Sequence, residues 1–224
     1  MPADLLPITV VIPVGPYGHN KQWLAEAIQS IRDQTMPPSE ILVIDDMAHL
    51  EQSDVGDDVH IWKAPWHIGV AYAWNFAMVF AKNDLVFPMA SDDRIEPWCL
   101  ESLWKTWEQH KDPLGYYWCD IQFSAEAGHI LKVPAGAAMM HKELFRVTGG
   151  MPIESTVGAH DAALVDIIRA HNLATFYHVE AEKAPAWHRD HPHDENKVNR
   201  ASWHLVMGQM RELVVKEWRP PEWT

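Results

Sequence analysis

Residues 83 to 93 read Asn83-Asp84-Leu85-Val86-Phe87-Pro88-Met89-Ala90-Ser91-Asp92-Asp93. The apolar run from Leu85 to Met89, bounded by polar residues, predicts a short strand covered on both faces. Pro88 pulls the other way, because proline has no ladder donor and prefers sheet edges or special positions. The strand would deliver two adjacent carboxylates, Asp92 and Asp93, at its end. Hard anionic oxygens of this kind suit Mg²⁺ or Mn²⁺. An ion held there is able to bridge the phosphates of a nucleotide and to neutralise a departing phosphate. The same two acids would also serve in a solvated loop ahead of the next helix, so the rest of the chain has to decide.

Upstream, the strand-then-acids pattern occurs again. Ile41 to Ile44 reads as a strand and ends in Asp45 and Asp46. Ile8 to Val14 is β-branched and reads as a buried first strand, followed by the loop Gly15-Pro16-Tyr17-Gly18. That loop lacks the G-x-G-x-x-G spacing of a dinucleotide-binding turn, which argues against an NAD enzyme. Asn20 is the expected N-cap of a helix running to Thr35, where Pro37-Pro38 stops it. Within it Leu24, Ala27, Ile28 and Ile31 form one apolar stripe. His60 to Lys63 is a third strand candidate, and Val70 to Ala81 is apolar nearly all round, as for a helix buried against a sheet. Alternating strands and helices imply a parallel sheet, and such sheets bind ligands outside the carboxyl ends of their strands.

At 224 residues the chain suits one sizeable α/β domain, and 47% hydrophobic with 22% charged residues is ordinary for a folded globule. A net charge of −13 speaks against a general nucleic-acid binder, since phosphate contacts need clustered Lys and Arg. Cys99 and Cys119 lack metal-site spacing, so a reduced, cytoplasmic compartment is expected. Met1 to Pro7 has neither the basic start nor the apolar core of a secretory signal. No apolar run is long enough for a transmembrane segment. Most of the 12 tryptophans are assigned to core packing.

In order and spacing these segments resemble the inverting glycosyltransferases of family two, which have the GT-A fold. The resemblance runs from about residue 8 to 195. It rests on the first strand with Pro13, the helix carrying Leu24, Ile28, Ser30, Ile31 and Gln34-Thr35, and Glu40-Ile41-Leu42-Val43-Ile44-Asp45-Asp46. It continues through Gly69, Ala73, Trp74, Asn75 and Ala77, the opening stretch with Pro97 after it, Gly136-Ala137, Gly149-Gly150-Met151 and His160-Asp161. Departures are Ala90 for the first acid of the D-x-D motif, Met47-Ala48 for Gly-Ser, Trp74 for arginine, and His160 for the Glu of a Glu-Asp pair.

The resemblance implies a GT-A, Rossmann-like α/β fold with a mixed, mainly parallel sheet flanked by helices. One domain would span residues 1–195, with a nucleotide half to about 98 and an acceptor half beyond it. Residues 196–224 would form a C-terminal helix and tail. The implied activity is metal-dependent inverting transfer from a nucleoside diphosphate sugar, UDP- or dTDP-linked, to an acceptor hydroxyl on a glycan, protein or small molecule. Pro13, Asp46 and Asp92 would contact the nucleotide sugar, Asp46 accepting the imide N–H of uracil or thymine. Asp92, Asp93 and His191 would hold Mn²⁺ or Mg²⁺, with His188 a weaker alternative. Asp161 would be the catalytic base, ionised at neutral pH as an ordinary aspartate is.

Each of these residues has a plainer reading: a loop acid, a helix-start charge, a solvated His-rich turn. Tyr116, Tyr117 and Trp118 are able to stack on a sugar or simply to pack. Glu195 to Trp218 reads as an amphipathic helix, with Trp203, Val206, Met207, Met210, Leu213 and Val214 on one face. It would pack on the body or on a second copy, giving a homodimer. The rival functions are a nucleotidyltransferase, whose basic glycine-rich phosphate loop is missing here, and a catalytically weak sugar- or nucleotide-binding module.

Overall fold

The β-branched run after Leu5 forms the central strand, β1 (Leu6–Val14), in a computed structural model that describes residues 5–123, 130–132, 134, 136–153, 160–181, 183–189, 212 and 214–221. Two helices follow, α1 (Gly18–Gln22) and α2 (Leu24–Arg32), then β2 (Pro38–Asp45), α3 (Gln52–Val55) and β3 (Val59–Lys63). The middle of the chain supplies α4 (Val70–Phe80), β4 (Leu85–Pro88), β5 (Arg94–Ile95), α5 (Cys99–His110) and β6 (Gly115–Cys119). Beyond it lie β7 (Ile121–Phe123), β8 (Ile130–Leu131), β9 (Ala138–His141), α6 (Lys142–Thr148), α7 (His160–His171), β10 (Thr175–Val179) and β11 (Ala186–His188).

Seven strands pair in the order β10-β6-β9-β4-β1-β2-β3. Only β9 runs antiparallel to its neighbours in that sheet. The fold is therefore the mixed, mainly parallel α/β architecture expected from the sequence. Side chains alternate across the sheet. Ile8, Val10 and Ile12 pack on one face with Leu24, Ala27, Ile28 and Ile31 of α2 and Leu100 and Leu103 of α5. Val11, Val86 and Tyr116 pack on the other with Ala73 and Ala77 of α4 and Leu164 and Ile168 of α7. A second, four-stranded sheet, β5-β11-β7-β8, sits beside the first. Pro88 is accommodated because the β9 ladder has already ended at Val86↔Met140.

Two expectations need correction. The first helix is two: Trp23 (φ −107, ψ 0) separates α1 from α2, Asn20 lies inside α1 and does not cap it, and α2 stops at Arg32. Gln34 and Thr35 instead tie α2 to the start of α5. Gln34 Nε2 donates to the Glu96 carbonyl (2.8 Å), its Oε1 accepts the Leu100 N–H (3.0 Å), and the Thr35 N–H donates to the Pro97 carbonyl (2.7 Å). Helix α4 is buried on one face only; on the other, Tyr72 and Phe80 are about half exposed and Val79 is 75% exposed. Of the expected C-terminal helix, residues 212 and 214–217 are helical, and the apolar positions from Trp203 to Met210 and Leu213 lie outside the described residues. Among the described residues no helix is long and apolar enough to cross a membrane.

At the amino edge of the sheet, buried Glu40 gathers donors from β1, from β3 and from the segment between α4 and β4. Its Oε2 accepts from Thr9 Oγ1 (2.7 Å) and the Lys82 N–H (2.6 Å), and Oε1 lies 3.1 Å from His60 Nδ1. Burial pushes this carboxyl up, but the donors of Lys82, Thr9 and His60 outweigh it and hold the group below the ordinary glutamate value. A carboxyl lowered in the fold contributes stability that is present above the ordinary range and lost on acidification. Glu40→Gln is therefore expected to cost about 1–2 kcal/mol at pH 7 in denaturant melts, with the difference closing as pH falls below 4.5.

Gly150 takes φ +91, and a Cβ there would meet Asn75 Oδ1 at 2.6 Å and Phe145 Cε1 at 2.7 Å. Asn75 occupies that space to pair with both backbone groups of Met151, its Oδ1 accepting the N–H (2.8 Å) and its Nδ2 donating to the carbonyl (3.0 Å). Gly150→Ala combines a disfavoured backbone with a steric clash and should lower stability by about 1–3 kcal/mol or more, read as a fall in melting temperature.

Candidate active site

Strands β1 and β2 end level, since the Asp46 N–H donates to the Val14 carbonyl (2.9 Å). Pro13 is buried in β1 opposite Ile44. The two acids that follow are both 2% exposed and differently used. Asp45 turns onto its own loop: Oδ1 accepts the N–H groups of Ala48 (2.7 Å) and His49 (3.1 Å), and Oδ2 that of Leu50 (2.8 Å). Those bonds hold Met47 at φ +66, a conformation that glycine adopts without strain. Asp46 reaches across to the start of α4. It accepts the N–H groups of Ile68 (2.7 Å) and Gly69 (2.8 Å), and His67 Nδ1 lies 2.9 Å from its Oδ2.

Beyond β4, the Met89 N–H donates to the Val11 carbonyl (2.9 Å), so this strand reaches the same edge. The turn that follows brings Asp93 against the end of β11. Asp93 Oδ1 lies 2.9 Å from His188 Nδ1 and accepts the Arg189 N–H at 3.2 Å. Burial pushes the Asp93 carboxyl up; His188 draws it down, and neighbouring Asp92 adds to the rise. The D-D corner thus meets His188. His191 and His193 lie outside the described residues.

The third component comes from the antiparallel strand. Because β9 pairs Leu85 with His141 and Val86 with Met140, its first residues are level with the carboxyl end of β4. Gly136, just before it at φ +89, leaves room that a Cβ would take within 2.8 Å of Ile121 Cδ1 and 3.7 Å of Asp161 Oδ2. Gly136 and Asp93 line one small hollow of about 10 Å³ with Met89, Ile121 and Trp187. Gly136 thus lines the same hollow as Asp93 and stands close to the Asp161 carboxylate. Asp161 stands in the first turn of α7. Its neighbour His160 is buried and donates through Nδ1 to the Pro152 carbonyl (2.8 Å), anchoring the start of the helix. Tyr116 is buried beneath, its hydroxyl pushed well above the ordinary tyrosine value by burial and by Asp161.

Sequence reasoning missed one cluster at this edge. Tyr116 and Tyr117 are buried, but Trp118 is partly exposed and stacks on His178 (4.0 Å between ring centres). His178 Nε2 lies 2.7 Å from Oδ1 of buried Asp120, with Lys132 Nζ 3.8 Å from Oδ2. The signal was available, since Asp120 follows an apolar strand as Asp45 and Asp92 do. A larger groove of about 620 Å³ opens elsewhere, between α4, the Gly149-Gly150 turn and Trp218, and none of the strand-end acids lines it.

Among the described residues no group of three or more His, Cys, Asp or Glu gathers to hold a metal. The Asp93 carboxylate nevertheless suits Mn²⁺ or Mg²⁺ by donor type, and the His188 imidazole beside it is a nitrogen donor better matched to a transition metal such as Mn²⁺ than to Mg²⁺. Hard cations at phosphate sites take only one or two protein carboxylates and fill the remaining positions with phosphate oxygens and water. The residues present fit such an ion in company with a diphosphate.

The sequence profile of glycosyl transferase family 2 matches residues 9–125, slightly more than half of the chain. No curated protein sequence matches it. Among solved structures, residues 1–349 of S. aureus TarS in complex with UDP-GlcNAc superpose with a TM-score of 0.70 at 14% identity, over 97% of this chain and 68% of that one. The mannosyltransferase PcManGT from Pyrobaculum calidifontis, in complex with GDP-Man and Mn²⁺, gives 0.65 at 17% identity, over 99% and 69%. At these identities the superpositions establish a shared fold. Together with the profile match across the strands that carry Asp46 and the Asp92–Asp93 corner, they assign the molecule: the chain belongs to glycosyl transferase family 2 and is a glycosyltransferase.

Proposed function

We propose that the chain transfers a sugar from a nucleoside diphosphate donor to an acceptor hydroxyl, with inversion at the anomeric carbon. The observation that carries the reading is Asp161 Oδ2 beside Gly136 at the edge where Asp93 ends the β4 turn. Residues to about 98 would bind the nucleotide, and those from there to about 195 the acceptor. Asp161 takes the proton of the attacking hydroxyl. His160 and the start of α7 fix the direction from which it does so. Asp92, Asp93 and His188 hold the divalent cation, with His191 the further candidate. When bound, the cation supplies charge neutralisation on the leaving diphosphate. Complexes of similar folds with UDP-GlcNAc and with GDP-Man and Mn²⁺ support this donor class and cation.

Asp46 is the proposed nucleobase contact beside Pro13. Its carboxylate is already fixed by two backbone N–H groups, so recognition would cost little reorganisation. The third partner, His67, has a side chain 54% exposed and presents Nδ1 at 2.9 Å. An imide N–H of uracil or thymine replaces that imidazole on the same oxygen. This suits UDP- and dTDP-sugars and disfavours CDP-sugars, whose base has no ring N–H to offer the carboxylate.

Two measurements check the reading. UDP- and dTDP-sugars with Mn²⁺ should raise the melting temperature more than CDP-sugars do, because a ligand that binds only the folded state stabilises it. In release of nucleoside diphosphate from the best donor, Asp161→Asn should lower kcat by about 10²–10⁴-fold while leaving the donor-induced thermal shift intact. Wild-type turnover in that variant removes Asp161 as the base.

A further inference from the structure

The Asp92–Asp93 corner is held from outside by a residue that no step of the reaction uses. Arg189, one position past β11, makes three directed contacts at once. Its backbone N–H donates to Asp93 Oδ1 (3.2 Å), its Nε donates to the Asp92 carbonyl (3.0 Å), and its NH2 group donates to Glu26 Oε2 (2.5 Å) in the first turn of α2. The guanidinium also lies over two indoles, 5.0 Å from the Trp23 ring centre and 4.8 Å from that of Trp187. Arg94 covers Trp187 as well, at 4.1 Å, and its guanidinium reaches the other oxygen of Glu26 at 3.5 Å. The side chain of Arg189 is only 17% exposed, whereas that of Glu26 is 45% exposed.

We propose that Glu26 and Arg189 form a latch that sets the orientation of the Asp92–Asp93 corner, and that Arg189 is a positioning residue for the cation. This rests on the reading that the corner holds a divalent ion. The Nε bond fixes the plane of the peptide joining Asp92 to Asp93, and with it the directions of both side chains. The backbone bond fixes Asp93 and, through the adjacent residue, the imidazole of His188. Glu26 and the indoles hold the guanidinium in the plane that those bonds require. Residues behind metal ligands commonly change affinity by about 10–100-fold when removed. A lysine would keep the charge opposite Glu26, but it lacks the planar fork that donates to Asp92 and Glu26 together and lies flat on indole.

The test is Mn²⁺ binding to the full chain in the presence of UDP, read from the electron paramagnetic resonance of free Mn²⁺, with metal-free melts as the folding control. Arg189→Ala and Arg189→Lys are each expected to raise the Mn²⁺ Kd about tenfold, with metal-free melting temperatures within a few degrees of wild type. Glu26→Ala should act in the same direction, and the Glu26→Ala/Arg189→Ala pair should be no worse than Arg189→Ala alone, as members of one network are. In turnover, KM for Mn²⁺ should rise while kcat at saturating Mn²⁺ stays near wild type. Wild-type Mn²⁺ affinity in Arg189→Lys, or additive effects in the double variant, overturns the latch and leaves the metal reading standing. A wild-type chain that binds no Mn²⁺ with UDP overturns the metal reading itself and the latch with it. Should Arg189→Ala fail to fold, Arg189→Lys and Glu26→Ala decide the question.

Discussion

Strand β1 is hydrogen-bonded in parallel to β2 on one side and β4 on the other, and its apolar side chains are buried on both faces. Water cannot satisfy its backbone, so the ladders must. That constraint fixes the register of three strands together and obliges their chains to leave the sheet at one edge. The acids that follow β2 and β4 arrive there because of a pairing requirement deep in the core. The antiparallel β9 completes the edge by beginning where its neighbours end.

Buried charge is the second constraint. A carboxylate withdrawn from water needs partners, and each acid at the edge finds a different solution. Asp45 is consumed by three N–H groups of its own loop. Asp46 binds two N–H groups and has a half-exposed third partner in His67. Asp93 faces an imidazole and a backbone N–H, yet burial still holds its carboxyl above the ordinary value. An acid with its charge incompletely compensated is where an added cation gains most, which separates Asp93 from Asp45 although the two motifs read alike. Asp120 has His178 at 2.7 Å and Lys132 at the limit of an ion pair, a similar solution at the end of β6.

The sequence by itself determined the first four strands, the stripe of α2 and the strand-then-acid pattern, because burial period is a local property that side chains report in their own neighbourhood. It also carried the family, since Pro13, Asp45-Asp46, Asn75 and Asp92-Asp93 all fall within the span that the family profile matches. Only the tertiary structure decided which partners each acid finds. Asp46 meets the turn at Gly69, Asp93 meets His188, and Arg189 reaches Glu26 across 163 positions of chain. The second sheet and the Gly136 gap beside Asp161 are of the same kind, as is the exposed face of α4. These contacts join segments whose separation leaves no periodic trace, so chain geometry, more than local preference, selects them.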